Sequence, residues 1–301
     1  MFLKMKTLTQ KTKSSQLSPT DFNPRFAHDV LLLLAEAAYA PGLKPGDRQI
    51  PPNYTLVGKI TMNQTKALSM TRRNQSDQKL LRVLLEDGNF FGWVMKNVED
   101  GIVAVTFRGT ETANDWLNNL AFSKCSYGLV EDYGEVHSGF YAYYIGIRDS
   151  LLRLLNPTLL GSCKRLILTG HSLGSALDEL AGPDLLHNVL NPNVTPEVQN
   201  FAGPRTGDLD FAGRFDVEIN KCFRIANIWD LVPHVPPGLL GFTHVGNEVL
   251  VDGGFTDFVD AHKLETSYET GLSKLVQNPQ MKAISIAARD FPNAVVVGRS
   301  P

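Results

Sequence analysis

The chain has 301 residues, 43% of them hydrophobic and 20% charged, as is typical of a globular protein that buries a sizeable core. A formal net charge of −2 excludes a global electrostatic attraction to nucleic acid or to an anionic membrane surface. The three cysteines lie far apart and match neither a disulfide framework nor the spacing of metal ligands.

The N-terminal segment 1–20 carries four lysines and no acidic residue, and it lacks the apolar stretch of a secretory signal. We expect a disordered basic tail there, with a transit peptide or a membrane-surface tether as the alternatives. The longest purely apolar run nearby, Val30–Ala35, is too short to span a bilayer. Residues 21–301 contain no repeat or linker, so we expect them to form one domain, and a cytoplasmic location is favoured.

Apolar runs typical of strands alternate along the chain with stretches of helical spacing. In chain order, the predicted elements are a helix over Phe22–Ala40, strands over Asn89–Asn97 and Ile102–Phe107, a helix over Gly139–Leu155, and strands over Arg165–Leu168, Val198–Phe201, Cys222–Ile225 and Val249–Val251. Helical patterns separate most of the later strands, as in a mainly parallel sheet flanked by helices. The sequence therefore predicts an α/β fold.

A candidate nucleophile follows the strand that begins at Arg165. Gly170-His171-Ser172-Leu173-Gly174 fits G-x-S-x-G, in which glycines leave room for a cramped turn between a strand and a helix. Such a turn presents the serine oxygen at the helix N-terminus. Because a strand precedes this pentapeptide and a helical pattern follows it, Ser172 is predicted to be a catalytic nucleophile.

A serine needs a base to become nucleophilic, and the base needs an acid to orient it. In folds with this elbow the chain order is serine, acid, histidine. Asp230 follows the strand Cys222–Ile225, and His262 is the one histidine after Val249–Val251. They are the predicted acid and base. The rivals, which we interpret as structural or capping residues, are Asp208, Asp210, His28, His137, His171, His187, His234 and His244.

An oxyanion hole requires two backbone N–H groups aimed at the developing negative charge. One is expected from Leu173, directly after the nucleophile. The other is expected from Thr110, because Ile102–Phe107 ends in Arg108-Gly109-Thr110 and the glycine permits a sharp turn. A plain turn at the end of the strand is the alternative interpretation of that segment.

Several further segments share a pattern with one known family. They are Phe107-Arg108-Gly109-Thr110 with Trp116, Val136-His137-Ser138-Gly139-Phe140, the Ser172 pentapeptide, Phe201-Ala202-Gly203-Pro204-Arg205 with Gly207, Asp230 to Pro237 with Gly241-Phe242 and His244-Val245-Gly246, and Asp260-Ala261-His262. Together they resemble the class 3 lipases, the family of filamentous-fungal triacylglycerol lipases and their bacterial and plant relatives. The resemblance covers roughly residues 90 to 275.

The resemblance implies an α/β-hydrolase fold with a Ser172–Asp230–His262 triad and oxyanion donors at Thr110 and Leu173. It also implies a short helical lid at about residues 111–120. Three apolar side chains recur there at helical spacing, namely Trp116, Leu117 and Leu120. An amphipathic helix packed permanently on the core is the alternative. Leu239 and Leu240 are expected to line the acyl groove together with the lid.

The implied activity is ester hydrolysis, most simply by a triacylglycerol lipase, without metal or cofactor. The expected partners are a lipid or other carboxylic ester and, transiently, the lipid–water interface, but no nucleic acid. A phospholipase A1 or galactolipase and a soluble short-chain esterase would use the same triad. Alternatives of other kinds are a lipase-like binding protein without turnover and a serine peptidase.

The helix after Ser172 departs from the family pattern. Ser175 stands where glycine is usual, and Asp178 and Glu179 stand where small apolar or weakly polar residues are usual. Projected at 100° per residue, these three side chains lie opposite the apolar stripe that begins at Leu173. We therefore expect Asp178 and Glu179 to reach water or to pair with a basic side chain, and Pro183 to end or kink the helix.

Overall fold

The computed structural model describes residues 22–71, 75–86, 88–110, 122–191, 193–254 and 256–278. The expected basic tail over residues 1–20 and the expected lid over residues 111–120 lie outside these described residues. No helix in the described part of the chain is both long enough and apolar enough to cross a membrane.

A seven-stranded sheet forms the centre of the fold, in the order β1-β2-β3-β6-β7-β8-β9, and β4 and β5 form a separate two-stranded sheet. The strands from β3 to β9 in the large sheet pair in parallel, and β1 and β2 add an antiparallel edge. Their bounds are β1 Tyr54–Thr61, β2 Phe90–Asn97, β3 Ile102–Phe107, β4 Lys124–Ser126, β5 Glu135–His137, β6 Arg165–Gly170, β7 Glu197–Phe201, β8 Cys222–Asn227 and β9 Asn247–Val251.

Helices cover both faces of the large sheet, and the predicted α/β fold is confirmed. Their bounds are α1 Pro24–Phe26, α2 Leu32–Ala37, α3 Gln64–Met70, α4 Gln75–Glu86, α5 Ser138–Leu154, α6 Pro157–Leu160, α7 Leu173–Asn188, α8 Leu209–Glu218, α9 Phe258–Ala261 and α10 Glu269–Gln277. Turns of π-helix occupy Ala27–Leu31 and Leu264–Tyr268, and 3₁₀ turns occupy Val232–His234 and Gly238–Leu240.

Two apolar cores lie on opposite faces of the sheet. On one face α5, α7 and α8 pack against side chains such as Val105 and Leu168. On the other face the N-terminal helices and α10 pack against side chains such as Ile167 and Ile225. Because both faces are covered, β3, β7 and β8 are buried along their whole length, and β3 is apolar at all positions but Thr106.

Two expectations about α7 are wrong: Pro183 does not end the helix, and Asp178 neither reaches water nor pairs with a basic side chain. The helix continues through Pro183 to Asn188, and every residue from Leu173 to Leu185 is buried. Asp178 is fully buried, and neither of its carboxylate oxygens has a hydrogen-bond partner among the described residues. Glu179 is also fully buried, and its Oε1 accepts from Asn200 Nδ2 at 3.4 Å. The expectation failed because it placed the apolar side of α7 on the sheet. In the structure the polar side faces the strands: Ser175 Oγ donates to the carbonyl of Phe201 in β7 at 2.7 Å, and Glu179 accepts from Asn200 of the same strand, so these side chains do not reach water.

Candidate active site

Ser172 occupies a tight turn between β6 and α7. Its φ of 59° and ψ of −125° lie in a region that residues with a side chain seldom adopt. A Cβ atom at Gly174 would overlap the backbone carbonyl of Phe107, and one at Gly170 would overlap the backbone of Gly174. Glycine is therefore required at both positions. The turn is held by a hydrogen bond from Ser172 N–H to the carbonyl of Phe201, 3.0 Å long.

The predicted acid and base are in direct contact. His262 Nδ1 lies 2.8 Å from Asp230 Oδ2, and both residues are buried. Since the carboxylate accepts, the His262 proton resides on Nδ1 and leaves Nε2 able to accept. The His262 ring lies 4.5 Å from the ring of His171, which directly precedes Ser172. Neither His262 Nε2 nor Ser172 Oγ has a hydrogen-bond partner among the described residues.

Tyr268 is a neighbour of the acid that the sequence interpretation missed. Its hydroxyl donates to Asp230 Oδ2 at 2.6 Å and accepts from the backbone N–H of Asn227 at 3.2 Å. Burial and the adjacent Asp230 raise the pKa of Tyr268 well above its ordinary value, so the hydroxyl keeps its proton. The N–H of Val232 donates to the other carboxylate oxygen at 2.9 Å. Three donors therefore hold the Asp230 carboxylate in one orientation.

The predicted oxyanion donors converge on the same edge of the sheet. In the parallel pairing of β3 with β6, Phe107 stands opposite Gly170, so the two strands end side by side. A Cβ atom at Gly109 would lie 3.1 Å from the Cβ of Ser172, which places the turn that leads to Thr110 directly against the nucleophile. Leu173 is the first residue of α7, and its N–H therefore has no acceptor within the helix.

Thr110 is buried, and its Oγ1 has no hydrogen-bond partner among the described residues. Both the N–H and the hydroxyl of Thr110 thus remain candidates for contact with an oxyanion.

The predicted lid residues Trp116, Leu117 and Leu120 lie outside the described residues. The predicted groove residues Leu239 and Leu240 form an exposed 3₁₀ turn and are 87% and 48% exposed.

The histidines that we interpreted as structural have other partners. His137 Nδ1 accepts from two N–H groups at the start of α5, and His187 Nε2 contacts Glu218. His244 Nε2 donates to the carbonyl of Pro233. The rival acid Asp208 caps α8 by accepting from Phe211 N–H, as its position in a loop before a helix predicts.

Large apolar side chains are exposed on the segments that surround Asp230 and His262. In sequence they lie within four residues of the acid or the base, or on the 3₁₀ turn of the loop between β8 and β9. We call this set the apolar rim; its members, each at least 44% exposed, are Ile228, Trp229, Leu231, Leu239, Leu240, Phe258 and Val259. Contiguous exposed apolar surface in a globular protein typically marks a binding surface.

Comparison with known proteins identifies the segment that carries this site. Residues 104–240 match the family model described as "Lipase (class 3)". The chain is 31% identical over 175 residues to a lipase of Rhizopus niveus, covering 57% of this chain and 43% of that protein. It is 28% identical over 201 residues to phospholipase A1-IIgamma of Arabidopsis thaliana, covering 56% of this chain and 47% of that protein. The chain thus spans less than half the length of either relative.

The fold is also that of solved lipases. The crystal structure of the lipase from Rhizopus microsporus var. chinensis superimposes with a TM-score of 0.62 at 26% identity, covering 75% of this chain and 74% of that one. This similarity covers a larger share of the chain than the segment that the family model matches, and it agrees with the α/β-hydrolase architecture described above.

Proposed function

We propose that the chain is a member of the class 3 lipase family, whose model matches residues 104–240, and that it is a serine ester hydrolase that acts on lipid esters, most simply triacylglycerols. The observation that carries the proposal is the buried contact between His262 Nδ1 and Asp230 Oδ2. This contact leaves His262 Nε2 as an unengaged base beside the strained Ser172 turn.

In the proposed acylation step, His262 Nε2 takes the proton of Ser172 as the serine oxygen attacks the ester carbonyl. The negative charge of the tetrahedral intermediate is stabilised by the N–H groups of Thr110 and Leu173. Asp230 keeps the imidazole in the correct tautomer and stabilises the imidazolium. The protonated His262 then donates to the leaving alcohol, and an acyl-Ser172 remains.

Deacylation repeats these steps with water as the nucleophile. His262 Nε2 takes a proton from water, hydroxide adds to the acyl carbonyl, and the same two N–H groups hold the oxyanion. Collapse of the intermediate returns the proton to Ser172 and releases the carboxylic acid. No group outside the protein and the two substrates is needed for either step.

The apolar rim supports a lipid rather than a fully soluble ester as substrate. Acidic side chains accompany the rim, among them Asp252, whose carboxylate accepts from Trp229 Nε1 at 3.1 Å, and the exposed Asp257. Apolar side chains next to negative charge favour an uncharged lipid surface over an anionic one. We therefore propose transient contact with the surface of neutral lipid droplets or emulsions.

A phospholipase A1 is the second candidate, because the Arabidopsis relative of that name covers about as much of the chain as the fungal lipase does. Assays with emulsified triacylglycerol, phosphatidylcholine and a soluble short-chain ester separate these functions. Fastest turnover of emulsified triacylglycerol supports the lipase. A preference for phosphatidylcholine supports the phospholipase, and a preference for the soluble ester without an increase at an interface supports an esterase.

The triad itself is tested by Ser172→Ala, with Ser162→Ala in an exposed turn as the matched control. We expect Ser172→Ala to lower kcat about a million-fold without loss of folding, and Ser162→Ala to leave it unchanged. A serine-directed organophosphate should label the wild type at Ser172. Retention of most hydrolysis in Ser172→Ala would refute the assignment, and a wild type that is neither labelled nor active would indicate a binding protein.

A further inference from the structure

Both ring nitrogens of His171 have a partner, although this residue is not part of the proposed triad. Nε2 lies 2.7 Å from the backbone carbonyl oxygen of His262, and Nδ1 lies 2.8 Å from the hydroxyl of Tyr39. A carbonyl oxygen can only accept, so Nε2 carries the proton and donates it. The imidazole of His171 thus links the backbone of His262, the proposed base, to the side chain of Tyr39.

The protonation state of His171 follows from its surroundings. Burial and, second, the proximity of His262 hold the pKa of His171 well below its ordinary value, so the ring is neutral. With the proton on Nε2, Nδ1 is an acceptor, and the Tyr39 hydroxyl is its donor. Tyr39 therefore fixes the tautomer that allows His171 to donate to the carbonyl of His262.

The carbonyl that His171 binds belongs to the short segment that carries the proposed base. His262 is the residue that ends α9, a helix of one turn, and its N–H donates to the carbonyl of Val259 at 3.2 Å. The side chain of the base is oriented by Asp230, whereas its backbone is bound by His171. These two anchors act on different atoms of the same residue.

Tyr39 and His171 also contact the turn that leads to the predicted oxyanion donor Thr110. A Cβ atom at Gly109 would overlap both the Tyr39 hydroxyl and the backbone carbonyl of His171. The same pair of residues therefore lies between the segment of the base, the elbow of Ser172 and the end of β3. Displacement of any one of these segments would disturb the other two.

We propose that His171 and Tyr39 are positioning residues, which hold His262 at the distance and angle from Ser172 that proton transfer requires. This inference rests on the proposed ester hydrolysis. Its physical basis is the steep dependence of rate on geometry, since a displacement of about 1 Å can lower a rate by about 100-fold. A neutral His171 also places no second positive charge beside the imidazolium that forms on His262 during the reaction.

Three variants and a matched control test the proposal by steady-state hydrolysis of a soluble ester. His171→Phe keeps a ring and removes both hydrogen bonds, whereas His171→Gln supplies an amide donor and an acceptor in their place. Tyr39→Phe removes one hydroxyl only. Tyr133→Phe removes a hydroxyl that donates to Glu218 and is the control. Thermal unfolding and the rate of organophosphate labelling of Ser172 are measured for each.

We expect His171→Phe to lower kcat and the labelling rate about 100-fold, with KM within about twofold of the wild-type value. His171→Gln should have a kcat about tenfold higher than that of His171→Phe. Tyr39→Phe should lower kcat at least about threefold, and Tyr133→Phe should leave it unchanged. A wild-type kcat in Tyr39→Phe overturns the proposal, even if His171→Phe does not fold. Equal losses in His171→Phe and His171→Gln overturn it too, because they indicate ring packing instead.

These outcomes are distinguishable from failure of the proposed function. If the wild type neither hydrolyses esters nor reacts with the organophosphate, the function is wrong. If the wild type does both and the His171 and Tyr39 variants match it, only the positioning roles are wrong.

Discussion

The two buried acids of α7 make the stability of this protein sensitive to pH. Burial is the largest cause that raises the pKa of Glu179, from 4.5 to about 7, although Thr206, Arg224 and Asn200 oppose the rise. Burial and the adjacent Glu179 raise the pKa of Asp178 well above its ordinary value. Both carboxyl groups therefore bind their protons more tightly in the folded protein than in the unfolded chain.

The direction of the effect follows from proton linkage. Between pH 4.5 and about pH 7 the folded protein keeps a proton on Glu179 that the unfolded chain releases, so stability falls as pH rises. Each tenfold change in proton affinity is worth about 1.4 kcal/mol, and the rise of this pKa thus corresponds to about 3 kcal/mol of lost stability. Asp178 adds to the loss in the same direction.

Glu179→Gln removes the titration and keeps an oxygen that can accept from Asn200. The wild type should lose about 3 kcal/mol of stability between pH 4.5 and pH 8, whereas this variant should not. The difference in unfolding free energy, variant minus wild type, should therefore increase by about 3 kcal/mol over this range. Urea unfolding monitored by tryptophan fluorescence at several pH values measures it. Glu131→Gln makes the same chemical change at an exposed turn and is the matched control.

The prediction fails if the unfolding free energies of the variant and of the wild type depend on pH in the same way. If the unfolding free energies of Glu179→Gln and of the wild type change equally between pH 4.5 and pH 8, Glu179 does not hold an extra proton in the folded state. A variant that gains stability relative to the wild type as pH falls would reverse the predicted sign. A Glu131→Gln control that behaves like Glu179→Gln would attribute the effect to overall charge.

Three further expectations concern the candidate site. Tyr268→Phe, which removes a donor to the triad acid, should lower kcat about tenfold with little change in KM, and an unchanged kcat would contradict this. Gly174→Ala should destabilise the fold by about 3 kcal/mol in thermal or urea unfolding, because its Cβ would overlap a backbone carbonyl of β3; Gly213→Ala, where nothing lies within 4 Å, should not. Leu239→Ser, at a side chain that is 87% exposed, should weaken binding to a neutral lipid emulsion about tenfold but leave hydrolysis of a soluble ester unchanged. Val217→Ser, at a side chain that is 68% exposed on α8, is its control. Equal losses of binding in both variants would count against the apolar rim as the docking surface.

The residues of the candidate triad could be predicted because their signals are local. Ser172 lies in a pentapeptide whose glycines are required by the turn itself, and that requirement can be read within five residues. Asp230 and His262 each lie in the segment that follows a strand indicated by the apolar pattern. Because parallel strands end at one edge of the sheet, strand order alone brings these loops together. The direct contact between acid and base agrees with that expectation.

The partners that orient these groups could not be predicted, because nothing local links them to the site. Tyr39 is separated from His171 by 132 residues, and Tyr268 from Asp230 by 38 residues. Neither tyrosine occurs in a motif, and each reaches its partner only after helices on one face of the sheet have packed. Strand β1 was missed as well, since its exposed positions interrupt the apolar pattern.

The strand–turn–helix around Ser172, the chain order of the candidate nucleophile, acid and base, and the α/β class could all be predicted from residue patterns, because these features depend on spacing within short segments. The surroundings of α7, in contrast, depend on how distant elements pack and could not be predicted from local patterns. The helical projection correctly separates Leu173 from Asp178, but it does not show which side of the helix meets the sheet. In the structure the side with Ser175 and Glu179 contacts β7 and Asp178 lies close to Gly170 of β6, so Asp178 is buried without a hydrogen-bond partner among the described residues.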